Sequence, residues 1–562
     1  MPLKPIFDKA PLTAMNCQPL RAGLVRMDNS AMSKLYSMTA MANEPAALEG
    51  TFRLACIVSA KPGDEPVAAK IRAMLSAQKA DGSFSASLKD SVAILRAAWA
   101  LYEYEARKPI LEYIARWCSF AVQHWEALMA DEEIRTYSAD LLELLENLYR
   151  VTGKSAVLTL CERVANQTMN WSSVLNTISS QRPTSKSIAK DELENGLMKE
   201  KSSLEGYYTH FYRSNHAESL ADGARSSMAK GWYSGSATEL NAAQNGWERL
   251  SRYHGAICGG LTSDELLEGT SPSAAVSTAA LGAWAEALCA AAMGDKAEWA
   301  FSALERMAFN AMPACLVGEK LLAFQRVNSL VAECKAADCF SVSDDHKQRA
   351  MNRLVRGYAA MASSVITAWE DGACINLYMP GRYAVPVADE LLILTVKASV
   401  NGANITVHCK AETEATLRLR MPAWSRNTEV MVNGAENHAE VKNGMMTFDR
   451  TWHDGDVISL SFEQTLSVAD GHHQGKYVLR GPILMVLPVT GADWQKAFVS
   501  AAIDDNHVSA TCADVKEWKS KDGIPADVPV LPETMGELKA CSLAPYAKTP
   551  ARISLFAGRK QA

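Results

Sequence analysis

The stretch Leu391-Leu392-Ile393-Leu394-Thr395-Val396-Lys397-Ala398 decides how the chain divides. Ile393, Thr395 and Lys397 alternate with Leu394, Val396 and Ala398, the period of two that marks a half-buried strand. Downstream the same period recurs. Leu417, Leu419 and Met421 alternate with Thr416, Arg418 and Arg420, and Val430-Met431-Val432-Asn433-Gly434 reads as a strand entering a turn, because Asn-Gly accepts positive φ. Met445–Phe448, Val457–Phe462 and Tyr477–Val489 continue a series whose spacing predicts a β-sandwich.

Upstream the period is helical. Leu141, Leu142, Leu144, Leu145, Leu148 and Tyr149 fall on one helix face, and Gly153 follows as the expected C-cap. Apolar stripes recur at Ile94–Tyr104, Ile110–Trp125 and Ala274–Met293, and Asp81-Gly82 closes another helix. Paired helices joined by such turns suit a closed toroid, and a bundle would fit the same pattern. The expected organisation is multidomain α+β. Residues 1–385 form an (α/α)6 toroid, 386–490 a β-sandwich, and 491–562 an irregular segment with C-terminal strands, ending at Ala551–Phe556, that complete a sandwich. The polar run Ser179–Lys201 reads as an exposed loop or a disordered segment.

Composition excludes several function classes. A chain of 562 residues exceeds one core. Its net charge of −6 lacks the basic footprint of a nucleic-acid binder, and no apolar run reaches the length of a membrane span. The opening Met1-Pro2-Leu3-Lys4-Pro5-Ile6-Phe7-Asp8 has no signal-peptide core. The 13 cysteines form no CxxC pair, so reduced thiols in a cytoplasm are expected. There is no HExxH, GxxxxGK[ST] or strand-linked GxGxxG.

The segment carrying chemistry is Tyr253–Pro272, which sets the acid pair Asp264-Glu265 in a Gly-rich turn between helices. Carboxylates on a loop above a rigid helical scaffold suit glycoside hydrolysis, which needs an acid for the leaving oxygen and a nucleophile or base. The same pair could instead cap a helix N-terminus. Trp424 and Trp452 fall on strands and read as core, and His472-His473 as a turn.

Several ordered motifs together carry a resemblance: Leu141–Gly153, Ser214-Asn215-His216-Ala217, Tyr253–Pro272, Gln325-Arg326-Val327-Asn328, Asn376-Leu377-Tyr378, Leu419-Arg420-Met421-Pro422-Ala423-Trp424, Arg450–Asp456 and Leu543-Ala544-Pro545-Tyr546. In this order they resemble the β-L-arabinofuranosidase-like enzymes of glycoside hydrolase family 127 and relatives. The resemblance implies an (α/α)6 toroid bearing the active site, with β-sandwiches behind it. It also implies an L-arabinofuranoside or related plant or microbial glycan sugar as substrate. Glu265 matches the general acid/base, with Asp264 an orienting or sugar-binding group. His216, His254, Gln325, Asn328 and Asn215 match positions around the sugar. A homodimer is compatible with it, and no nucleic-acid or membrane partner is expected.

The family's cysteine nucleophile is bound to zinc through a Glu-x-Cys pair and a Cys-Cys pair. Here the first region reads Ser273-Ala274-Ala275-Val276-Ser277-Thr278-Ala279 and the second Asp338-Cys339-Phe340, leaving at most one usual ligand. No cofactor is therefore expected, although zinc could return if Cys334 and Cys339 joined Asp344 or His346. Cys339 is the candidate nucleophile or an inert buried thiol. Asp344-Asp345-His346 offers a carboxylate for that role, or a solvated loop. A non-catalytic glycan-binding or scaffold protein on the same fold is the alternative.

Overall fold

The computed structural model describes residues 12–13, 26–27 and 30–548. Within that last span it leaves out 131–137, 179–183, 185–211, 264–265, 271–273, 293–297, 318–319, 327–343, 370, 388–389, 400, 438, 465, 471–475, 487–498, 505–506, 513–537 and 540–543. The segment Ala551–Phe556, His472-His473 and most of Ser179–Lys201 thus lie outside the described residues.

Among the described residues, twelve helices alternate between two rings. The inner ring is α2 (Pro45–Val58), α4 (Leu88–Glu105), α6 (Ala139–Thr152), α8 (Ala217–Ser234), α10 (Thr278–Ala291) and α12 (Asp344–Ser364). Each packs on the next, and α12 returns to α2, so the ring closes. The outer helices α1 (Ser30–Thr39), α3 (Pro66–Ser76), α5 (Lys108–Gln123), α7 (Ser155–Gln167), α9 (Ala237–His254) and α11 (Glu298–Arg306) each lean on an inner neighbour. This is the (α/α)6 toroid expected from the helical stripes.

Local sequence sets the ends. Gly153 closes α6 in the left-handed region at φ 63°, and the Ser87 hydroxyl accepts the Asp90 N–H at 3.0 Å to open α4. The ring is tightest where α10 crosses α12. A Cβ on Gly282 would sit 2.3 Å from the Arg353 backbone, and one on Gly357 would sit 2.8 Å from the Gly282 carbonyl.

The axis of this toroid is ionic. Every inner helix contributes a charge. Arg96 (α4) bonds Glu49 (α2) at 2.6 Å and Glu143 (α6) at 2.7 Å. Arg225 (α8) bonds Asp140 (α6) at 2.8 Å and also Glu143. Arg356 (α12) bonds Asp140 at 2.7 Å and Glu286 (α10) at 2.8 Å, while Arg353 holds Asp222 at 2.5 Å. Burial alone would raise the Glu49 and Glu143 carboxyls, but the surrounding guanidinium groups outweigh it and hold both at about 2.

A two-stranded ladder, β1 (Ala275–Ser277) against β2 (Phe324–Arg326), is set among these helices. The helical part ends at Ser364, and sandwich strands follow. One sheet is built on β3 (Ile366–Trp369), β4 (Gly372–Ile375), β8 (Thr413–Arg420) and β10 (Met445–Trp452). The other is built on β5 (Gly381–Val387), β6 (Glu390–Ser399), β7 (Gly402–His408), β9 (Thr428–Val432) and β11 (Val457–Phe462). In β6, Leu392, Leu394 and Val396 are buried and Lys397 is exposed, as the alternation predicts. Asn433 and Gly434 turn at φ 52° and 79°. Trp452 is fully buried, its indole N–H donated to the Ala415 carbonyl at 2.9 Å.

The N-terminal pieces Leu12–Thr13 and Arg26–Met27 add an edge to each sheet, so the β-domain draws on both ends of the toroid. A four-stranded sheet follows, β12 (Leu466–Asp470), β13 (Lys476–Arg480), β14 (Ile483–Val486) and β15 (Ala544–Pro545). Buried Arg420 fixes sandwich to toroid, reaching Glu305 of α11 at 2.6 Å and the Asn376 carbonyl at 2.6 Å. No described helix is long and apolar enough to cross a membrane.

Candidate functional site

The chain around the acid pair folds as a small hairpin. Ser263 bridges Leu267, and Leu266 bridges His216 at the start of α8. The Leu267 N–H is donated to the Asn215 carbonyl at 3.0 Å, and the Ser263 N–H to the Ala275 carbonyl at 2.6 Å. Glu268 accepts the Ala275 N–H at 2.5 Å, tying the hairpin to β1. Asp264 and Glu265 lie outside the described residues, as do Asn328 and Cys339. Their described flanks, Ser263 and Leu266, are completely buried.

Two histidines brace this hairpin from opposite ends. His216 is the N-cap of α8, its Nδ1 2.9 Å from the Ser219 hydroxyl and accepting the Ser219 N–H at 3.3 Å. His254 ends α9. Its Nδ1 accepts the Gly269 N–H at 2.9 Å, and its carbonyl takes the Thr262 N–H at 2.7 Å. A backbone N–H on Nδ1 leaves the proton on Nε2 when the ring is neutral. His216, Asn215 and His254 are thus gathered round one loop, beside the N-termini of inner helices α8 and α10.

Gln325 stands on the β1–β2 ladder opposite Val276. Its amide nitrogen donates to the Ala311 carbonyl at 2.8 Å and contacts Cys315 Sγ at 3.1 Å, while its oxygen accepts the Tyr546 hydroxyl at 2.9 Å. The Thr278 hydroxyl, in the first turn of α10, donates to the Leu322 carbonyl at 2.5 Å and lies 3.2 Å from Cys315 Sγ. Cys315 was not singled out by sequence, and Thr278 and Tyr546 were quoted only within longer motifs, with no role assigned. A Tyr at the end of a strand motif more than two hundred positions away gives no local signal of contact with Gln325. Asp344-Asp345-His346, read as loop, opens helix α12.

The zinc expected of the resemblance can be tested against these donors. At the start of α10 stand Ser277 and Thr278, hydroxyls already committed to the Ala280 N–H and to Leu322 and Cys315. Burial pushes the Cys315 thiol up to about 12. Among the described residues no three His, Cys, Asp or Glu side chains come together as a ligand set. Cys334, Cys339 and the side chains of Asp344 and His346 lie outside the described residues, and the described ones alone supply no zinc-thiolate set.

Residues 372–464, the main body of the sandwich, match the profile of the β-L-arabinofuranosidase GH127 middle domain. A solved glycoside hydrolase superposes with a TM-score of 0.69 at 13% identity, over 98% of each chain. The GH127 β-L-arabinofuranosidase of Geobacillus stearothermophilus T6 gives 0.63 at 16% identity, over 94% of this chain and 93% of its own. The fold is that of the family 127 glycoside hydrolases. A further GH127 β-arabinofuranosidase gives 0.59 at 13% identity, over 96% and 95%. No curated protein sequence matches the chain. The family 127 resemblance read from the motifs is therefore borne out as a divergent one, retained in architecture and in the middle domain at low identity.

Proposed function

We propose that this protein is a glycoside hydrolase acting on an L-arabinofuranoside or a related plant or microbial glycan sugar at the hairpin pole of the toroid. The observation that carries this reading is the bracing of the Ser263–Leu267 hairpin by Asn215, His216 and His254 at the ends of helices. Such a mount holds a carboxylate in place on a rigid scaffold. Glu265 protonates the glycosidic oxygen as the bond to the anomeric carbon breaks. Cys339 or a nearby carboxylate displaces that oxygen, and a water deprotonated by Glu265 then releases the sugar. Asp264 orients Glu265 or the sugar. Asn215, His216, His254, Asn328 and Gln325 hold the sugar, Gln325 with its amide already fixed from behind.

The test is turnover of 4-nitrophenyl β-L-arabinofuranoside and related aryl glycosides by wild type and Glu265→Gln. A loss of about 100-fold or more in kcat with the far-UV spectrum unchanged is expected. Unchanged turnover would remove Glu265 from the mechanism. One observation favours a second reading, a non-catalytic glycan-binding scaffold: the helix start where family 127 has Glu-x-Cys carries hydroxyls already spent on the backbone. Wild type that turns over none of these glycosides would favour it.

A further inference from the structure

A concave site lies where α9, α11, the loop Gly255–Thr262 and the residues Thr270 and Ala274 beyond the hairpin face the β-domain. The cleft has a volume of about 780 Å³, within the range of small-molecule sites. One wall is the β1–β2 ladder, through Val276 and its partner Gln325. Ala275 and Ser277 alternate to the opposite face of the ladder.

Its lining combines aromatic side chains with the guanidinium of Arg306. Trp247, Trp299, Trp424 and Tyr477 border the cleft. Trp424 packs edge-on against buried Phe462 of the sandwich, as a core reading predicts, and also borders the cleft. It is half-buried, with its indole N–H on Glu305 at 2.8 Å. Glu305 is also taken by Arg420 at 2.6 Å. Arg306 beside it makes a 3.5 Å contact with the Ile257 carbonyl, and among the described residues no salt bridge to it is formed. Burial pushes the Arg306 guanidinium down, with Cys258 and Glu305 offsetting only part of it. Asp470 at the sandwich edge adds one acceptor for hydroxyl groups.

We infer that this cleft binds an acidic oligosaccharide, its sugar faces stacked on the indoles and a uronic carboxylate on Arg306. Indoles take the apolar C–H faces of sugar rings, and a planar guanidinium takes a carboxylate with two parallel hydrogen bonds. The cleft shares Gln325 with the residues proposed to hold the sugar at the hairpin, but none of its residues is asked to act on a glycosidic bond.

The test is calorimetric titration of the full chain with a galacturonic acid trisaccharide and with the neutral galactose trisaccharide. Saturable binding of the acidic sugar is expected, at least about tenfold tighter than the neutral one. Arg306→Gln should remove that preference and Trp299→Ala should weaken both sugars, each with an unchanged far-UV spectrum. Glu265→Gln should bind as wild type does, which separates this inference from the catalytic one. Equal binding of the two sugars, no saturable heat, or an Arg306→Gln variant that keeps the preference would overturn it.

Discussion

The toroid and the sandwich are both closed structures, and their centres are built from opposite materials. The toroid axis holds Arg96, Arg225, Arg353 and Arg356 among Glu49, Asp140, Glu143, Asp222 and Glu286. The sandwich holds Leu392, Leu394, Ile405, Val407, Leu417, Leu419 and Trp452 with almost no water contact. Six inner helices leave a channel down their common axis, and charges from each can meet there. Two sheets facing each other leave no such channel, so alternating apolar side chains fill the space. The comparison teaches that buried charge specifies how the toroid closes, whereas apolar area holds the sandwich together.

The largest effect expected of this difference comes from Arg356→Ala. It removes a bidentate partner of Asp140 and leaves Asp140 and Glu286 under-compensated. A loss of about 3–5 kcal/mol by denaturant melting is expected. A loss below about 1 kcal/mol would mean that the ionic axis is dispensable.

Acid should separate the two regions next. Glu49 and Glu143 are held at about 2 in the folded state, below the ordinary carboxyl value, and Asp140 lies well below its own. Their stabilisation is fully present above the unfolded-state value and is lost as pH falls through the folded one. Helical circular dichroism should therefore decline between about pH 4 and 2, before the strand signal, and simultaneous loss would break the comparison. Glu146 works against this trend, because burial raises its carboxyl.

A smaller effect is expected in the sandwich. Trp452→Phe keeps an aromatic ring and gives up the hydrogen bond to Ala415, at a cost of about 1–3 kcal/mol that does not change between pH 7 and 5.

How much of this could be read beforehand varies by element. The alternation Leu392, Leu394, Val396 is a local pattern and placed β6 and the sandwich directly. The ionic axis is not local, yet it left a trace. Arg96 sits in Ile94-Leu95-Arg96-Ala97-Ala98-Trp99, and Glu286 in Ala283-Trp284-Ala285-Glu286-Ala287-Leu288. A single charge inside a run of apolar residues signals a buried partner. Which partner it meets depends on six helices closing in space, which no window of sequence contains. The hairpin with Asp264-Glu265 was legible from its glycines and acids. The bond from Tyr546 to Gln325 spans the whole β-domain and was not. Trp424 was placed on a strand and read as core; it packs on Phe462 as expected, while its place at the cleft depends on where α11 packs.

The central claim is that a chain with the family 127 fold binds no zinc, an expectation read from Ser273–Ala279 and Asp338-Cys339-Phe340 where the resemblance implies the ligands. Zinc content of the purified full chain after dialysis, measured by atomic emission, tests that claim most directly. The account predicts well below one zinc per chain, with no change in melting temperature on adding a chelator. One zinc per chain, retained through dialysis and lost together with stability on chelation, would contradict it.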